Sequence, residues 1–351
     1  MLDKIDILSL DLENLQNAFT NLGLKKYNAN QVYEWLHKKM EFEFDNFSNL
    51  SKINRELLKK HFYLSKLKYK EHQISVEDNT EKFLFGLHDK RLIETVLIGH
   101  KNRYTICISS QIGCLLKCDF CATALMNYER NLEVSEILLQ YYFIEKYLRE
   151  KNETLSNVVF MGMGEPFLNY ENVIKSINML NSSLGLNISK RNFTISTSGI
   201  VPAINKFMKD EPQVNLAVSL HSVKDSIRSK IMPINNKYPL MELKNALIDY
   251  QRETKNRITF EYILIDELNC SKKDAFDLIS FLRSCSSLIN LIPYNPVIGK
   301  DYKAPQKKKQ KDFYNILKEK NISVTLRETK GNDIAAACGQ LKAKKEMDDS
   351  E

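Results

Sequence analysis

The stretch Tyr104-Thr-Ile-Cys107-Ile-Ser-Ser-Gln-Ile-Gly113-Cys114-Leu-Leu-Lys-Cys118-Asp-Phe-Cys121 decides how this chain is read. It opens as an apolar, β-branched run, Tyr104 to Ser109, which predicts a strand. It closes on three cysteines in a C-x3-C-x2-C spacing. Three thiolates so placed can hold three irons of a 4Fe–4S cluster, leaving the fourth iron open to a ligand. Gly113 and the polar Ser109-Ser110-Gln111 give the loop freedom to wrap such a cluster. Two plainer readings compete. A structural zinc site wants four ligands, usually paired cysteines or a nearby histidine, and no fourth Cys or His follows within the loop. Packing alone is a poor account of three cysteines within eight residues after a strand.

Outward from this loop the chain alternates apolar runs with amphipathic segments. Beyond Tyr104 to Ser109, strands are expected at Asn157 to Met161, Asn192 to Ser196, Val214 to Leu220, Ile258 to Ile265, Ser287 to Ile292 and Ile322 to Leu326. Helices are expected between them, among others at Val134 to Arg149, Tyr170 to Asn181, Leu240 to Thr254 and Lys307 to Lys320. Such alternation means βαβ units on a parallel sheet. The expected fold class is therefore α/β, a partial (β/α) barrel, with an open doubly wound sheet as the alternative. In either, chemistry sits at the C-terminal ends of the strands.

Before the core, residues 1–66 carry helical periodicity at Leu12 to Leu22, Ala29 to Lys39 and Ile53 to Phe62, and form an expected helical accessory domain. Residues 67–99 read as a small β linker of three antiparallel strands, Leu67 to Val76, Lys82 to Leu87 and Arg91 to Ile98. The core is expected over 100–341, and the charged tail 342–351 is expected to be disordered.

The 351 residues carry a formal charge of +7, which permits a polyanionic partner without demanding one. No apolar stretch reaches the roughly 18 residues of a membrane span, and the N-terminus lacks a signal-peptide layout. A cytoplasmic protein with no membrane partner is expected. Its seven cysteines, Cys107, Cys114, Cys118, Cys121, Cys270, Cys285 and Cys338, are then not a disulfide framework.

A series of segments appears in order: Cys107-Ile-Ser-Ser-Gln-Ile-Gly-Cys114, Arg130-Asn131-Leu132, Met161-Gly-Met-Gly-Glu165-Pro166, Ser196-Thr-Ser-Gly199, Ser219-Leu-His221, Met232-Pro-Ile-Asn235, Pro293-Tyr-Asn295-Pro296 and Ala337-Cys338-Gly-Gln-Leu341. Cys114-x3-Cys118-x2-Cys121 with Phe120 before the last cysteine resembles the signature of the radical S-adenosylmethionine superfamily. The whole series, over roughly residues 10–341, resembles the RlmN family of RNA methyltransferases and, more distantly, Cfr. Asn127-Tyr128, Asn332 and Ala335 depart from that family's usual residues.

The resemblance implies radical S-adenosylmethionine-dependent methylation of C2 of adenosine in 23S rRNA, at the peptidyl-transferase centre, and in tRNA just 3′ of the anticodon. Two S-adenosylmethionine molecules are implied per turnover, with a 4Fe–4S cluster on Cys114, Cys118 and Cys121 and an electron donor such as flavodoxin. Gly164, Glu165, Ser196, Ser219, Leu220, His221 and Asn295 are implied contacts of S-adenosylmethionine. Cys338 is implied to carry the methyl group and to join the RNA covalently. Cys107 is implied to release the product by forming a disulfide with Cys338, and Glu94 to remove the C2 proton. From local sequence alone, Cys338 and Cys107 read as packing, and Glu94, on the alternating run Leu92-Ile-Glu-Thr-Val96, as an outward carboxylate. Cys270 and Cys285 read as structural. A C8-specific methyltransferase and a non-catalytic RNA-binding iron–sulfur protein are the alternatives. Pro166 after Gly164-Glu165 favours C2 over C8.

Overall fold

The computed structural model describes residues 4–100, 103–328 and 330–341, so the expected disordered tail lies outside the described residues. The N-terminal unit runs β1 (Ile5–Asp6), α1 (Leu12–Asn21), α2 (Lys26–His37), α3 (Lys52–His61) and β2 (Phe62–Tyr63). Asp11 and Ser51 cap α1 and α3, each accepting from the amide three residues on. The antiparallel strands β3 (Lys68–Ile74), β4 (Thr80–Gly86) and β5 (Leu92–His100) follow.

The barrel strand β6 (Arg103–Cys107) pairs antiparallel with β5 and parallel with β9 (Leu155–Phe160). Between them lie the short pair β7 (Gln111–Ile112) and β8 (Arg130–Asn131), then α4 (Val134–Arg149). The chain continues α5 (Tyr170–Asn181), β10 (Phe193–Thr197), α6 (Val201–Asp210), β11 (Asn215–Ser219), α7 (Asp225–Ile231), α8 (Leu240–Thr254), β12 (Ile258–Leu264), α9 (Lys272–Leu282), β13 (Ser287–Pro293), α10 (Lys307–Glu319) and β14 (Val324–Leu326).

Sheet order is β14-β13-β12-β11-β10-β9-β6-β5-β4-β3. From β6 onward every strand of this sheet pairs parallel with the one before it in the sheet, so the order never reverses as it would in a doubly wound sheet. With right-handed crossovers this lays the connecting helices along one face and curls the other inward, giving a partial (β/α) barrel. The three antiparallel strands extend the same sheet beyond β6.

The N-terminal helices share one hydrophobic core with the barrel. His37 Nδ1 lies 2.7 Å from the Tyr142 hydroxyl on α4, and Ser135 N donates to Ser9 Oγ at 3.2 Å. Helix starts follow their chemistry: Glu133 and Glu136 close a capping box on α4, and Ser271 and Asp274 another on α9. Among the described residues no helix is long and apolar enough to cross a membrane.

Candidate active site

The C-terminal ends of the barrel strands surround one cavity. Its wall includes Cys107, Cys114, Cys118, Cys121, Gly164, Glu165, Ser196, Ser219, His221 and Cys338. These ten come from three strands, β6, β10 and β11, and from four loops.

The cluster loop is pinned from several sides. Gly113 has φ +72, and a Cβ there would lie 2.2 Å from Asn127 O, so only glycine lets the loop pass the Asn127-Tyr128 backbone. Asp119 N donates to Ile231 O at 2.8 Å, Cys121 N to Cys118 O at 3.1 Å and Ala122 N to Gly339 O at 2.7 Å. The last bond ties the cysteine loop to the loop bearing Cys338. Burial pushes the thiols of Cys118 and Cys121 above their ordinary range and Cys114 up to about 12. Among the described residues, no three His, Cys, Asp or Glu side chains close around a single point as one metal ion requires. The three thiols instead face the same cavity separately, which suits one thiolate per iron of a multi-iron cluster.

Beside them, the β9 loop folds against the end of β6. Gly162 N donates to Ile108 O at 3.1 Å, and Ser110 N to Met163 O at 2.9 Å. Met163 N donates to Ser109 Oγ at 2.9 Å, and Glu165 N to Gln111 Oε1 at 2.8 Å. This clasp ends the β6 ladder at Cys107, two residues before the end expected from sequence. It delivers Glu165, buried, into the cavity. The carboxylate accepts from Ser198 N at 2.8 Å, Ser198 Oγ at 2.7 Å and Phe167 N at 3.1 Å. Burial raises its pKa while these donors oppose the rise. It is a preorganised acceptor for a cation.

At the end of β11, His221 is buried with φ +57. Its Nδ1 accepts from Ile263 N at 3.1 Å, which leaves Nε2 as the donor. Burial first, then the nearby Arg228, push its pKa down to about 3, so the ring is neutral. Phe120, from the cysteine loop, stands edge-on to it, with ring centroids 4.7 Å apart. Leu220, between Ser219 and His221, is fully buried in the main hydrophobic core, and only its backbone serves the site. Its carbonyl accepts from Arg228 Nε at 3.1 Å. Asn295 Nδ2 donates to Cys338 O at 3.1 Å, holding the loop that bears Cys338. Ser196 and Ser219, at their strand ends, line the cavity.

Cys107 is buried and Cys338 exposed, and both are free thiols. Burial pushes Cys107 up to about 12, and the neighbouring Cys338 adds to the rise. Glu94 is buried, not outward. On β5 it shares its face with Val96 and Ile98, which line the main cavity. It lines a neighbouring groove with Lys82, Pro296, Ile334 and Gln340, and Lys82 Nζ stands 3.2 Å from its Oε1. Cys270 is buried in the core and Cys285 packs against it, as their sequence reading implies.

Several residues of the site were not singled out in the sequence. Arg228 is fully buried and bonds Ser198 O at 2.6 Å, Ser219 O at 3.1 Å and Asn235 Oδ1 at 2.8 Å. It thereby joins β10, β11 and the Met232-Pro-Ile-Asn235 segment under the cavity floor. Glu261 and Arg327 also line the cavity. A glutamate inside the apolar run Ile258-Thr-Phe-Glu261-Tyr262 is the one local signal for them.

The fold and the three-cysteine cavity define a radical S-adenosylmethionine enzyme, and residues 108–279 match the Radical SAM superfamily. That superfamily implies a 4Fe–4S cluster and S-adenosylmethionine. A crystal structure of a radical SAM methyltransferase from Sphaerobacter thermophilus superposes with a TM-score of 0.93 at 38% identity, covering 97% of this chain and 100% of that one. Residues 5–64 match the ribosomal RNA large subunit methyltransferase N-terminal domain. A probable dual-specificity RNA methyltransferase RlmN from Thermosipho melanesiensis is 46% identical over 340 residues, 97% of this chain and 99% of the relative. One from Thermotoga maritima is 44% identical over 340 residues, 97% and 98% of the two chains. The chain belongs to the RlmN family of radical SAM methyltransferases.

Proposed function

We propose that this enzyme methylates C2 of adenosine in 23S rRNA and in tRNA beside the anticodon, with Cys338 as methyl carrier and Cys107 as the releasing thiol. The observation that supports this best is the meeting of Cys107, on the first barrel strand, and Cys338, near the chain's end, on the wall that also bears Cys114, Cys118 and Cys121.

When bound, the cluster and two molecules of S-adenosylmethionine per turnover supply a methyl group and a 5′-deoxyadenosyl radical, with the electron coming from a donor such as flavodoxin. The protein's residues bind and orient. Cys114, Cys118 and Cys121 hold three irons. Glu165 receives the methionine ammonium on a carboxylate fixed by Ser198. Gly164, Ser196, Ser219, neutral His221, Asn295 and the backbone at Leu220 surround the rest of the cofactor. Cys338, exposed, carries the methyl to the base and is transiently joined to it. Glu94, kept beside Lys82, receives the C2 proton. Cys107 then attacks the Cys338 sulfur and frees the product as a disulfide forms. The base must leave its stack to reach the cavity mouth. The lysines of α10 and of the N-terminal helices are suited to hold the phosphates.

The test is nucleoside mass spectrometry on 23S rRNA and tRNA incubated anaerobically with the reconstituted enzyme, a reductant and S-adenosylmethionine. 2-Methyladenosine is the expected product. 8-Methyladenosine alone, or no methylated adenosine, overturns the reading.

A further inference from the structure

Arg228, on α7, is fully buried, and none of the roles above uses its charge. Nε donates to Leu220 O at 3.1 Å, Nη1 to Asn235 Oδ1 at 2.8 Å, and Nη2 to Ser198 O at 2.6 Å and to Ser219 O at 3.1 Å. Every one of these acceptors is a neutral carbonyl. The carboxylates of the surrounding elements are engaged elsewhere. Asp119 accepts from Lys300 and Tyr302, and Glu165 from Ser198. Asp225 accepts from Asn235 Nδ2 at 2.8 Å and from Leu240 N at 3.0 Å, at the exposed start of α7 where water screens it. A cation taken out of water without an anion beside it is costly. The helix that carries it also carries the cysteine loop: Ile231, the last residue of α7, accepts from Asp119 N at 2.8 Å, and Asp119 follows Cys118. Among acidic groups, Cys118 acts on the guanidinium first and Asp225 second.

We infer that Arg228 is the fixed counter-charge of the iron–sulfur cluster, a buried cation that raises the cluster's reduction potential and so favours uptake of the electron that starts the reaction. The inference rests on the reading of Cys114, Cys118 and Cys121 as the cluster's ligands. Three thiolates outweigh the positive charge of an oxidised 4Fe–4S core, and reduction adds one more negative charge. Cluster potentials follow net charge, hydrogen bonding and burial. Beneath a water-poor wall a fixed cation acts more strongly than it would in solution. The neutral partners matter for the same reason, since a carboxylate paired with the guanidinium would cancel its field. Arginine suits the position because it keeps its charge when buried and its planar fork can meet several acceptors at once. In the step it favours, one electron passes from the external reductant to the cluster. No bond forms or breaks and no proton moves.

The test measures the cluster's reduction potential on anaerobically reconstituted protein without RNA or S-adenosylmethionine. Dithionite titration with redox mediators is followed by the electron paramagnetic resonance of the reduced cluster. Arg228→Gln should make reduction about tenfold less favourable, a shift of about 59 mV to lower potential for one electron, with iron and sulfide content retained. Arg228→Lys keeps the charge but loses the fork that ties β10, β11 and the Met232-to-Asn235 segment, and should stay near the wild-type potential. A role confined to tying those segments predicts that Lys is as damaging as Gln. Equal shifts in the two loaded variants, or no shift in Arg228→Gln, therefore overturn the inference. The wild-type potential should also be flat between about pH 6 and pH 8, because a guanidinium that stays charged needs no proton to balance the electron. A fall of about 59 mV per pH unit would show that a proton balances it instead, which overturns the inference without any variant having to fold. Wild-type protein that takes up no 4Fe–4S cluster would defeat the reading of the three cysteines, a different failure seen before any titration begins.

Discussion

Ser198 grips Glu165 twice, its backbone N–H donating to Oε2 at 2.8 Å and its hydroxyl to the same oxygen at 2.7 Å. The peptide bond that follows is itself held, because Ser198 O accepts from the buried Arg228 at 2.6 Å. The β10 end therefore sets the rotamer of a carboxylate borne on the β9 loop. Ser198→Ala removes the hydroxyl and leaves both backbone donors. A hydrogen bond to a charged acceptor contributes about 1.5–3 kcal/mol. Part of that loss should appear as roughly tenfold weaker S-adenosylmethionine binding, read by equilibrium dialysis, with iron content unchanged. Unaltered affinity would mean that Glu165 does not meet the cofactor.

Two glycines with left-handed backbones offer an internal comparison. Gly164 has φ +99, and a Cβ there would lie 2.5 Å from Gln111 Cβ and 2.8 Å from Gln111 N. Gly23 has φ +76 and nothing within 4 Å of its added Cβ. Gly23→Ala should therefore cost only the backbone strain, about 1–2 kcal/mol. Gly164→Ala should cost more, by about 1–3 kcal/mol, because it pushes apart the β6–β9 clasp that delivers Glu165. Thermal melting compares the two variants. Equal melting temperatures would show that the clasp yields freely.

The elements legible in sequence were those whose signals are local. Val134–Arg149, Tyr170–Asn181 and Leu240–Thr254 have the boundaries that their periodicity implies. α6 opens with Pro202 in its first turn, where proline is tolerated but reads as a breaker, and α7 has only seven residues, too few to show a period. Alternation along β5 gives the phase of Glu94 but not which face is covered. Both faces are: Thr95 bonds Gln140 of α4 at 2.8 Å on one side, and Leu92 and Val96 pack with Ala336 and Leu341 on the other. That Cys114, Cys118 and Cys121 belong together was legible in their spacing, and all three line the one cavity. Arg228 and Arg327 could not, because their partners come from distant strand ends and a cation in a polar stretch looks like solvated surface.

The ordered use of Cys338 and Cys107 gives the sharpest prediction. Cys107 lies in the apolar run Ile106-Cys107-Ile108 and packs with Leu92, Val96 and Met163, so a purely structural role competes with the releasing one. The two roles differ in what they leave behind. If Cys107 releases product, Cys107→Ala still permits methyl loading of Cys338 and addition to the base. The bridged sulfur then meets no attacking thiolate. The variant should accumulate as a covalent protein–RNA species, seen as a slow band on a denaturing gel and removed by ribonuclease. Cys338→Ala should give no methylation and no such band, and the double variant should match it. If Cys107 merely packs, exchanging its small thiol for a methyl should cost little stability, and Cys107→Ala should turn over like the wild-type enzyme. Normal turnover without a trapped band would thus defeat the release step while leaving the fold and the cluster site untouched.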